Sequence, residues 1–133
     1  MNENKLKILL VEDSPENREV IAMFIRGIAN VDYASDGDEA LIKTQENMFD
    51  VILMDINLGA GISGIDVTRQ LRTTERYKST PIIAVTAYVM LEDKKKILEA
   101  GCTHYVSKPF TRRQLLDLLS KINEDYHLSE KHQ

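Results

Sequence analysis

The chain has 133 residues, of which 43 % are hydrophobic and 29 % are charged, and its formal net charge is −4 at pH 7. This length corresponds to a single domain of ordinary size, and the hydrophobic fraction is sufficient to bury a core. The acidic balance provides no overall basic field, so the composition argues against direct nucleic-acid binding.

No targeting or membrane-spanning segment is recognisable in the sequence. The first apolar run, Ile8–Val11, is too short for a signal peptide, and no segment approaches the roughly 20 apolar residues of a membrane span. Cys102 is the single cysteine, so an intramolecular disulfide is excluded, and we expect this thiol to be a small buried filler. These features predict a soluble cytoplasmic protein with no membrane partner.

The first predicted elements are a strand, a helix and a second strand. Lys7–Val11 contains a continuous apolar run, which is typical of a strand covered on both faces in a parallel sheet. Ser14 is a favourable N-cap and Pro15 suits the first helical position, and the apolar stripe that follows predicts a helix as far as Ile28. The next apolar run, Val31–Ala34, predicts the second strand.

A second helix, a third strand and a third helix follow. Asp36 with Glu39 forms an acidic version of the capping box and predicts the start of the second helix. Asp50–Met54 is another continuous apolar run and predicts the third strand. Ser63 is the candidate N-cap of the third helix, because apolar residues recur at helical spacing after it.

The last four elements complete the alternation. Pro81–Val85 predicts the fourth strand, and Val89–Ala100 predicts a helix that is ended by the glycine after it. His104–Val106 predicts the fifth strand, and Thr111 with Gln114 forms a capping box at the start of the fifth helix. Five strands that alternate with five helices indicate a doubly wound α/β domain with helices on both faces of a parallel sheet.

Polar residues follow the predicted strands at the edge where ligands bind in such folds. Glu12 and Asp13 end the first strand, Asp55 ends the third, Thr86 ends the fourth, and Lys108 follows the fifth. If the first and third strands are neighbours, about 4.8 Å apart, their carboxylates converge and repel one another. A hard divalent cation relieves this repulsion, and an all-oxygen ligand set favours Mg²⁺. With a lysine and a hydroxyl nearby, the arrangement suits a phosphoryl group.

The segments at these strand ends resemble the receiver domains of two-component response regulators. They are Leu10–Ser14 (LVEDS), Leu53–Asn57 (LMDIN), Ala84–Ala87 (AVTA) and Tyr105–Phe110 (YVSKPF). The four segments occur in the family's order, and the resemblance covers nearly the whole chain. It implies a flavodoxin-like, doubly wound, five-stranded parallel sheet of order 2-1-3-4-5 with five helices.

The resemblance also implies the chemistry of the site. Asp55 corresponds to the family's phospho-acceptor, which takes a phosphoryl group from a phosphohistidine of a histidine kinase. Asp13 and Asp55 correspond to direct Mg²⁺ ligands, with the backbone carbonyl of Asn57 as a third protein ligand. Glu12 corresponds to a residue that acts mainly through a metal-bound water.

Further residues correspond to the family's phosphoryl-binding and switch positions. Lys108 is expected to contact the incoming phosphoryl group, and Thr86 is expected to move toward it once the bond has formed. Tyr105 corresponds to the switch aromatic that changes rotamer with Thr86. The Lys108–Pro109 peptide bond is expected to be cis.

The loop after Asp55 departs from the family pattern. Many members have proline at the position of Gly59 and reach the helix-opening glycine, here Gly64, one residue sooner. We expect the longer loop to affect the phosphorylation rate and partner contacts rather than the acceptor chemistry. The stretch Gly59–Gly64 also fits GxGxxG, which leaves a dinucleotide-binding domain as a remote alternative. The next strand ends in Thr86 rather than in an acid for a ribose hydroxyl, which disfavours that alternative.

A phosphatase with an aspartyl-phosphate intermediate is a second rival. Such phosphatases resemble Asp-x-Asp at the acceptor, and their second acid donates and then accepts a proton. This chain has Asn57 at that position, and an amide cannot serve as a general acid–base. This favours a long-lived acyl phosphate, and therefore a switch that catalyses only its own phosphorylation and dephosphorylation. We hypothesise that Tyr88 crowds the approach of hydrolytic water, in which case Tyr88→Ala would speed the loss of phosphate.

The resemblance implies a histidine kinase as donor and a downstream protein that binds the face of the fourth helix, fifth strand and fifth helix. Alternatively, the chain is a phosphorelay intermediate that passes its phosphoryl group to a histidine phosphotransfer protein. We expect a receiver domain over residues 5–124 with no attached output domain, followed by a short polar tail over 125–133. The run Lys94–Lys96 is expected to be a solvated helix face.

Overall fold

Strands and helices alternate in the computed structural model, which describes residues 5–58, 61–87 and 91–128. The elements are β1 (Leu6–Val11), α1 (Pro15–Ile25), β2 (Ala29–Ala34), α2 (Gly37–Glu46), β3 (Val51–Asp55), α3 (Gly64–Arg72), β4 (Ile82–Thr86), α4 (Leu91–Ala100), β5 (His104–Ser107) and α5 (Arg112–Tyr126). All ten predicted elements are present. The predicted first turn of the fourth helix, before residue 91, lies outside the described residues.

The five strands form one parallel sheet of order β2-β1-β3-β4-β5, which confirms the predicted fold. Val11 is in register with Met54, and Thr86 with Ser107, so the strands end at one edge of the sheet. The third strand includes Asp55, one residue more than its apolar run predicts, because the backbone there still pairs with Val85 of β4.

Two apolar layers pack on the sheet because consecutive strand residues point to opposite faces. The buried residues on the side of α1 and α5 include Ile8, Leu10, Ile21, Ile25, Leu53, Val85, Leu115 and Leu119. The buried residues on the side of α2, α3 and α4 include Leu9, Val11, Ala40, Met54, Val67, Ala84, Ile97 and the predicted filler Cys102. Burying each large side chain contributes about 1.5–3 kcal/mol, and this drives the helices onto the sheet.

The predicted N-caps fix where four of the helices begin. Ser14, Asp36, Ser63 and Thr111 each accept a hydrogen bond from a backbone N–H in the first turn of their helix. Thr111 and Gln114 form the reciprocal capping box that their spacing predicts. The box predicted for Asp36 and Glu39 is only half formed, because the Glu39 carboxylate accepts from the Ser35 N–H instead.

The last helix is longer than the sequence predicts. It continues to Tyr126, beyond residue 124, and Leu128 is buried in the layer beside α1 and α5. Part of the segment predicted to be a polar tail therefore packs on the domain. Within the described ranges, no helix combines the length and the apolar character needed to cross a bilayer.

Candidate functional site

Three carboxylates meet at the carboxyl ends of β1 and β3. Glu12, Asp13 and Asp55 each offer one oxygen atom, and these atoms lie within 4.8 Å of one another. Asp55 is 3 % exposed and Glu12 is 1 % exposed, whereas Asp13 is open to solvent. The sheet order produces this cluster, because β1 and β3 are direct neighbours. The structure thus brings together the three acids that the sequence singles out.

Lys108 lies against two of these acids. Its Nζ donates to Glu12 Oε1 at 2.9 Å and to Asp55 Oδ2 at 3.4 Å. Its backbone N–H donates to the Thr86 carbonyl at 2.8 Å, which extends the β4–β5 pairing as far as the lysine. The peptide bond from Lys108 to Pro109 is cis, as the resemblance implies. The two side-chain hydrogen bonds therefore hold the Lys108 ammonium group beside the buried carboxylates.

Burial and neighbouring charge shift the ionisation of this group of residues. Burial raises the pKa of Glu12 to about 7, and the Asp55 carboxylate adds to this rise, against a lowering by the hydrogen bond from Lys108. Burial lowers the pKa of Lys108, but its hydrogen bond to Glu12 and the charge of Asp55 outweigh this, so the net shift is upward. Lys108 thus remains cationic, and a further cation would relieve the crowded acids.

Hydrogen bonds from the backbone orient the two buried acids. The Asn57 N–H donates to Asp55 Oδ1 at 2.9 Å, and the Ser14 N–H donates to Glu12 Oε2 at 3.2 Å. Asn57 lies two residues after the end of the acceptor strand and is exposed, so its position is compatible with its expected role beside the carboxylates. The cluster contains only oxygen donors, which fits a hard divalent cation such as Mg²⁺.

Thr86 and Tyr105 occupy neighbouring strands. Thr86 is the last residue of β4, is 3 % exposed, and follows Val85, whose partner in β3 is Asp55. Tyr105 lies on β5, is 36 % exposed, and has the Lys94 Nζ 5.1 Å from its ring centroid. Tyr88, the predicted hydrolysis-tuning residue, lies outside the described residues.

Gly64 is a site residue whose packing role the sequence does not predict. A Cβ at this position would lie 2.3 Å from the Asp55 carbonyl oxygen and 3.0 Å from the Ile56 Cα. The first turn of α3 therefore packs directly on the backbone that carries the acceptor. The glycine that follows Ser63 is the only sequence signal for this contact.

An apolar groove adjoins the site on the side of α1. It encloses about 410 Å³, and its walls include Val20 and Phe24 of α1 together with Pro109 and Phe110. Lys108 is also among its lining residues. The groove therefore shares with the acidic cluster one residue, Lys108, whose ammonium group contacts Asp55.

Comparison with known proteins identifies the family to which this chain belongs. The family model described as the response regulator receiver domain matches residues 8–120. The chain belongs to the receiver domain family. The alternative based on Gly59–Gly64 loses its support, because this segment lies inside the matched region and joins β3 to α3 of the receiver fold.

Similar receiver domains occur as separate proteins and within larger ones. The chain is 36 % identical to the chemotaxis protein CheY of Pseudomonas aeruginosa over 121 residues, which cover 90 % of this chain and 97 % of CheY. It is 37 % identical to the sensor kinase/phosphatase LuxQ of Vibrio vulnificus over 91 % of this chain, but it spans only 14 % of LuxQ.

Solved receiver structures share the fold. Chemotaxis response regulator CheY4 of Vibrio cholerae has a TM-score of 0.84 and 33 % identity, over 89 % of this chain and 98 % of CheY4. The receiver domain of sensor histidine kinase PA1611 from Pseudomonas aeruginosa has a TM-score of 0.81 and 36 % identity, over 88 % of this chain and 96 % of that domain. That structure has a magnesium ion coordinated in its active site cleft.

Proposed function

We propose that this receiver domain accepts a phosphoryl group on Asp55 from a phosphohistidine of a histidine kinase, in a Mg²⁺-dependent reaction. The observation that carries the proposal is the position of the Asp55 carboxylate, which contacts the Lys108 ammonium and lies within 4.8 Å of the oxygens of Glu12 and Asp13. Such a site neutralises charge at the oxygens of a phosphoryl group.

The acidic cluster is the proposed magnesium site. Asp13 and Asp55 would bind the ion directly, the backbone carbonyl of Asn57 would provide a further oxygen, and Glu12 would act through water. When bound, Mg²⁺ supplies positive charge to the phosphoryl oxygens. The oxygen-only donor set of this cluster supports the assignment, as does the magnesium ion in the cleft of the PA1611 receiver domain.

Asp55, Lys108 and Thr86 have separate roles in the transfer reaction. An Asp55 carboxylate oxygen forms a bond to phosphorus while the P–N bond of phosphohistidine breaks, and the departing imidazole nitrogen keeps the electron pair and takes up a proton. Lys108 pairs with an oxygen of the transferred group, and the Thr86 hydroxyl moves toward another. Because Asp55 is almost completely buried, these interactions act where water screens them little.

The product is a signal rather than a released metabolite. Asn57 cannot act as a general acid–base toward water, so the acyl phosphate persists. Thr86 and Tyr105 then move together and change the face formed by α4, β5 and α5. The protein thus catalyses only its own phosphorylation and dephosphorylation, in the cytoplasm, with residues 5–124 as the switching domain.

A phosphorelay role is the second candidate, in which Asp55 passes the phosphoryl group to a histidine phosphotransfer protein. The similarity to the receiver part of LuxQ, a sensor kinase/phosphatase, favours this candidate, because a receiver domain there forms part of a larger kinase. Transfer of label from the phosphorylated chain to a histidine of such a protein would distinguish a relay from a stand-alone effector.

Intact-mass spectrometry after incubation with acetyl phosphate and Mg²⁺ tests the acceptor assignment. The wild type should gain one phosphoryl group, and Asp55→Asn should gain none. Asp66→Asn is a matched control, because Asp66 is an exposed acid on α3 outside the cluster, and it should be labelled like the wild type. Labelling that persists in Asp55→Asn would contradict the proposal.

A further inference from the structure

Tyr105 is an exposed aromatic residue on the edge strand of the sheet. Its main-chain position pairs with Ala84 of β4, and paired residues of parallel strands point to the same face. Ala84 belongs to the apolar layer beside α2, α3 and α4, so the Tyr105 ring lies on the α4 side of the sheet. Thr86, two residues after Ala84, faces the same side.

One lysine of the run on α4 contacts this ring. The Lys94 Nζ lies 5.1 Å from the Tyr105 ring centroid, a distance at which a cation is attracted to the negative face of an aromatic ring. The three lysines of the run differ in position. Lys95 is exposed and makes no ring contact within the described ranges, and Lys96 lines a cavity of about 170 Å³ beside Thr86 and Ile97.

This geometry connects the lysine to the motion of the ring. The cavity beside Thr86 lies on the same side of the sheet as the Tyr105 ring, whereas the ring now lies outside it. The contact with Lys94 is made by the ring in its exposed position, so a turn of the ring toward Thr86 would carry its face away from the Lys94 ammonium. The cation–π attraction therefore stabilises the exposed rotamer selectively, and an interaction that favours one of two states shifts their equilibrium.

We propose that Lys94 is a latch that holds Tyr105 in its exposed rotamer before phosphorylation and so sets the resting population of the active conformation. This inference rests on the proposed switch function of Thr86 and Tyr105. A cation–π contact at an exposed site corresponds to a change of about two- to fivefold in such an equilibrium. Removing the charge should therefore release the ring by this factor.

NMR of the unphosphorylated, metal-free protein tests the latch directly. Three-bond couplings to the Tyr105 Cγ atom report the rotamer populations of the ring. Lys94→Gln, which keeps the side chain long but removes its charge, should raise the population of the second rotamer about two- to fivefold. Lys95→Gln removes the same charge from the next residue of α4 and should leave the populations at their wild-type values.

The rate of phosphorylation by acetyl phosphate provides a second measurement. Lys94→Gln should react faster than the wild type by about the same two- to fivefold factor, because more of the protein is in the active conformation. In a Tyr105→Leu background, where no ring is present, the same substitution should have no effect on the rate. Agreement of both measurements supports the latch.

Three results would overturn the latch. They are unchanged couplings and rate in Lys94→Gln, an equal effect of Lys95→Gln, or an effect of Lys94→Gln that persists in the Tyr105→Leu background. Failure of the proposed function is distinguishable from these, because the wild type would then take up no phosphoryl group. In that case, NMR of the unphosphorylated protein would still show whether Lys94 affects the rotamer populations of Tyr105.

Discussion

Glu12 is a buried acid with both carboxylate oxygens occupied. Oε1 accepts from Lys108 and Oε2 accepts from the Ser14 N–H, so the side chain satisfies its hydrogen bonds although it is 1 % exposed. Burying a carboxylate is costly unless it is paired, and Asp55 adds a like charge beside it. The site thus concentrates negative charge, and binding of a cation there would offset the free-energy cost of burying these carboxylates.

Magnesium should therefore stabilise the folded protein, and Asp13 offers a way to test this. At a Mg²⁺ concentration 100 times its dissociation constant, the free energy of unfolding should rise by about 2.7 kcal/mol. Asp13→Asn removes one carboxylate from the cluster and should lose most of this gain. Urea unfolding of each variant with and without Mg²⁺ measures the gain against its own metal-free baseline.

Asp38→Asn provides the control for this measurement. Asp38 is an exposed acid in the first turn of α2 and is outside the carboxylate cluster, so the full magnesium-dependent gain should remain. A gain in Asp13→Asn equal to that of the wild type would contradict the proposed ligand set.

The residues of the site could be predicted because strand ends determine their positions. Asp55 and Lys108 are far apart in sequence, but parallel strands carry their terminal residues to one edge, and the family segments identify which residues these are. Contacts made by helices could not be predicted in this way. The packing of Gly64 on Asp55 and the contact of Lys94 with Tyr105 depend on how each helix is rotated and inclined on the sheet, which the apolar pattern does not specify in such detail.

At the scale of elements, the start of α3 determines the position of the acceptor. Ser63 caps this helix, and Gly64 then allows its first turn to approach the β3 backbone closely. The approach is possible only without a side chain, since a Cβ at Gly64 would lie 2.3 Å from the Asp55 carbonyl oxygen. Because this oxygen belongs to the backbone, it cannot move aside as the end of a flexible side chain could. A Cβ added at Gly64 would therefore force β3 or α3 to shift.

Gly64→Ala should therefore impair the site more than its small size suggests. Forcing an extra carbon into this packing should lower the free energy of unfolding by about 1–3 kcal/mol. It should also displace Asp55, so the rate of phosphorylation by acetyl phosphate should fall even at temperatures where the variant is fully folded. Urea unfolding and intact-mass time courses measure the two effects separately.

Gly27→Ala is the matched control, because a Cβ at Gly27 would meet no heavy atom within 4 Å beyond its own residue and its two chain neighbours. This variant should be phosphorylated at the wild-type rate, with a change in stability within about 1 kcal/mol. If Gly64→Ala left the phosphorylation rate and the free energy of unfolding equally unchanged, α3 would not constrain the position of Asp55.

At the scale of the whole molecule, the two sides of the sheet present different surfaces near the site. The apolar groove with Val20 and Phe24 lies on the side of α1 and is lined in part by Lys108, whereas the Tyr105 ring lies on the side of α4. If a protein donor brings its phosphohistidine to Asp55 beside Lys108, the groove that shares this lysine is the expected docking surface. Under the proposed function, the donor and the downstream partner would therefore use separate surfaces.

The groove should matter for transfer from a protein donor but not from a small one. Val20 is 49 % exposed on a wall of the groove, so Val20→Asp introduces a charge into the expected docking surface while it disturbs the core little. Loss of one good interface contact, about 1.4 kcal/mol, corresponds to an approximately tenfold lower rate of transfer at low kinase concentration. Labelling by a phosphorylated histidine kinase domain that labels the wild type should fall by this factor, while labelling by acetyl phosphate stays unchanged.

Met23→Asp places the same charge at a 61 % exposed position of α1 that is not among the groove residues, and this variant should be labelled by the kinase domain at the wild-type rate. An equal loss with both donors would mean that Val20→Asp damages the site itself, and no loss with either would mean that the donor docks elsewhere.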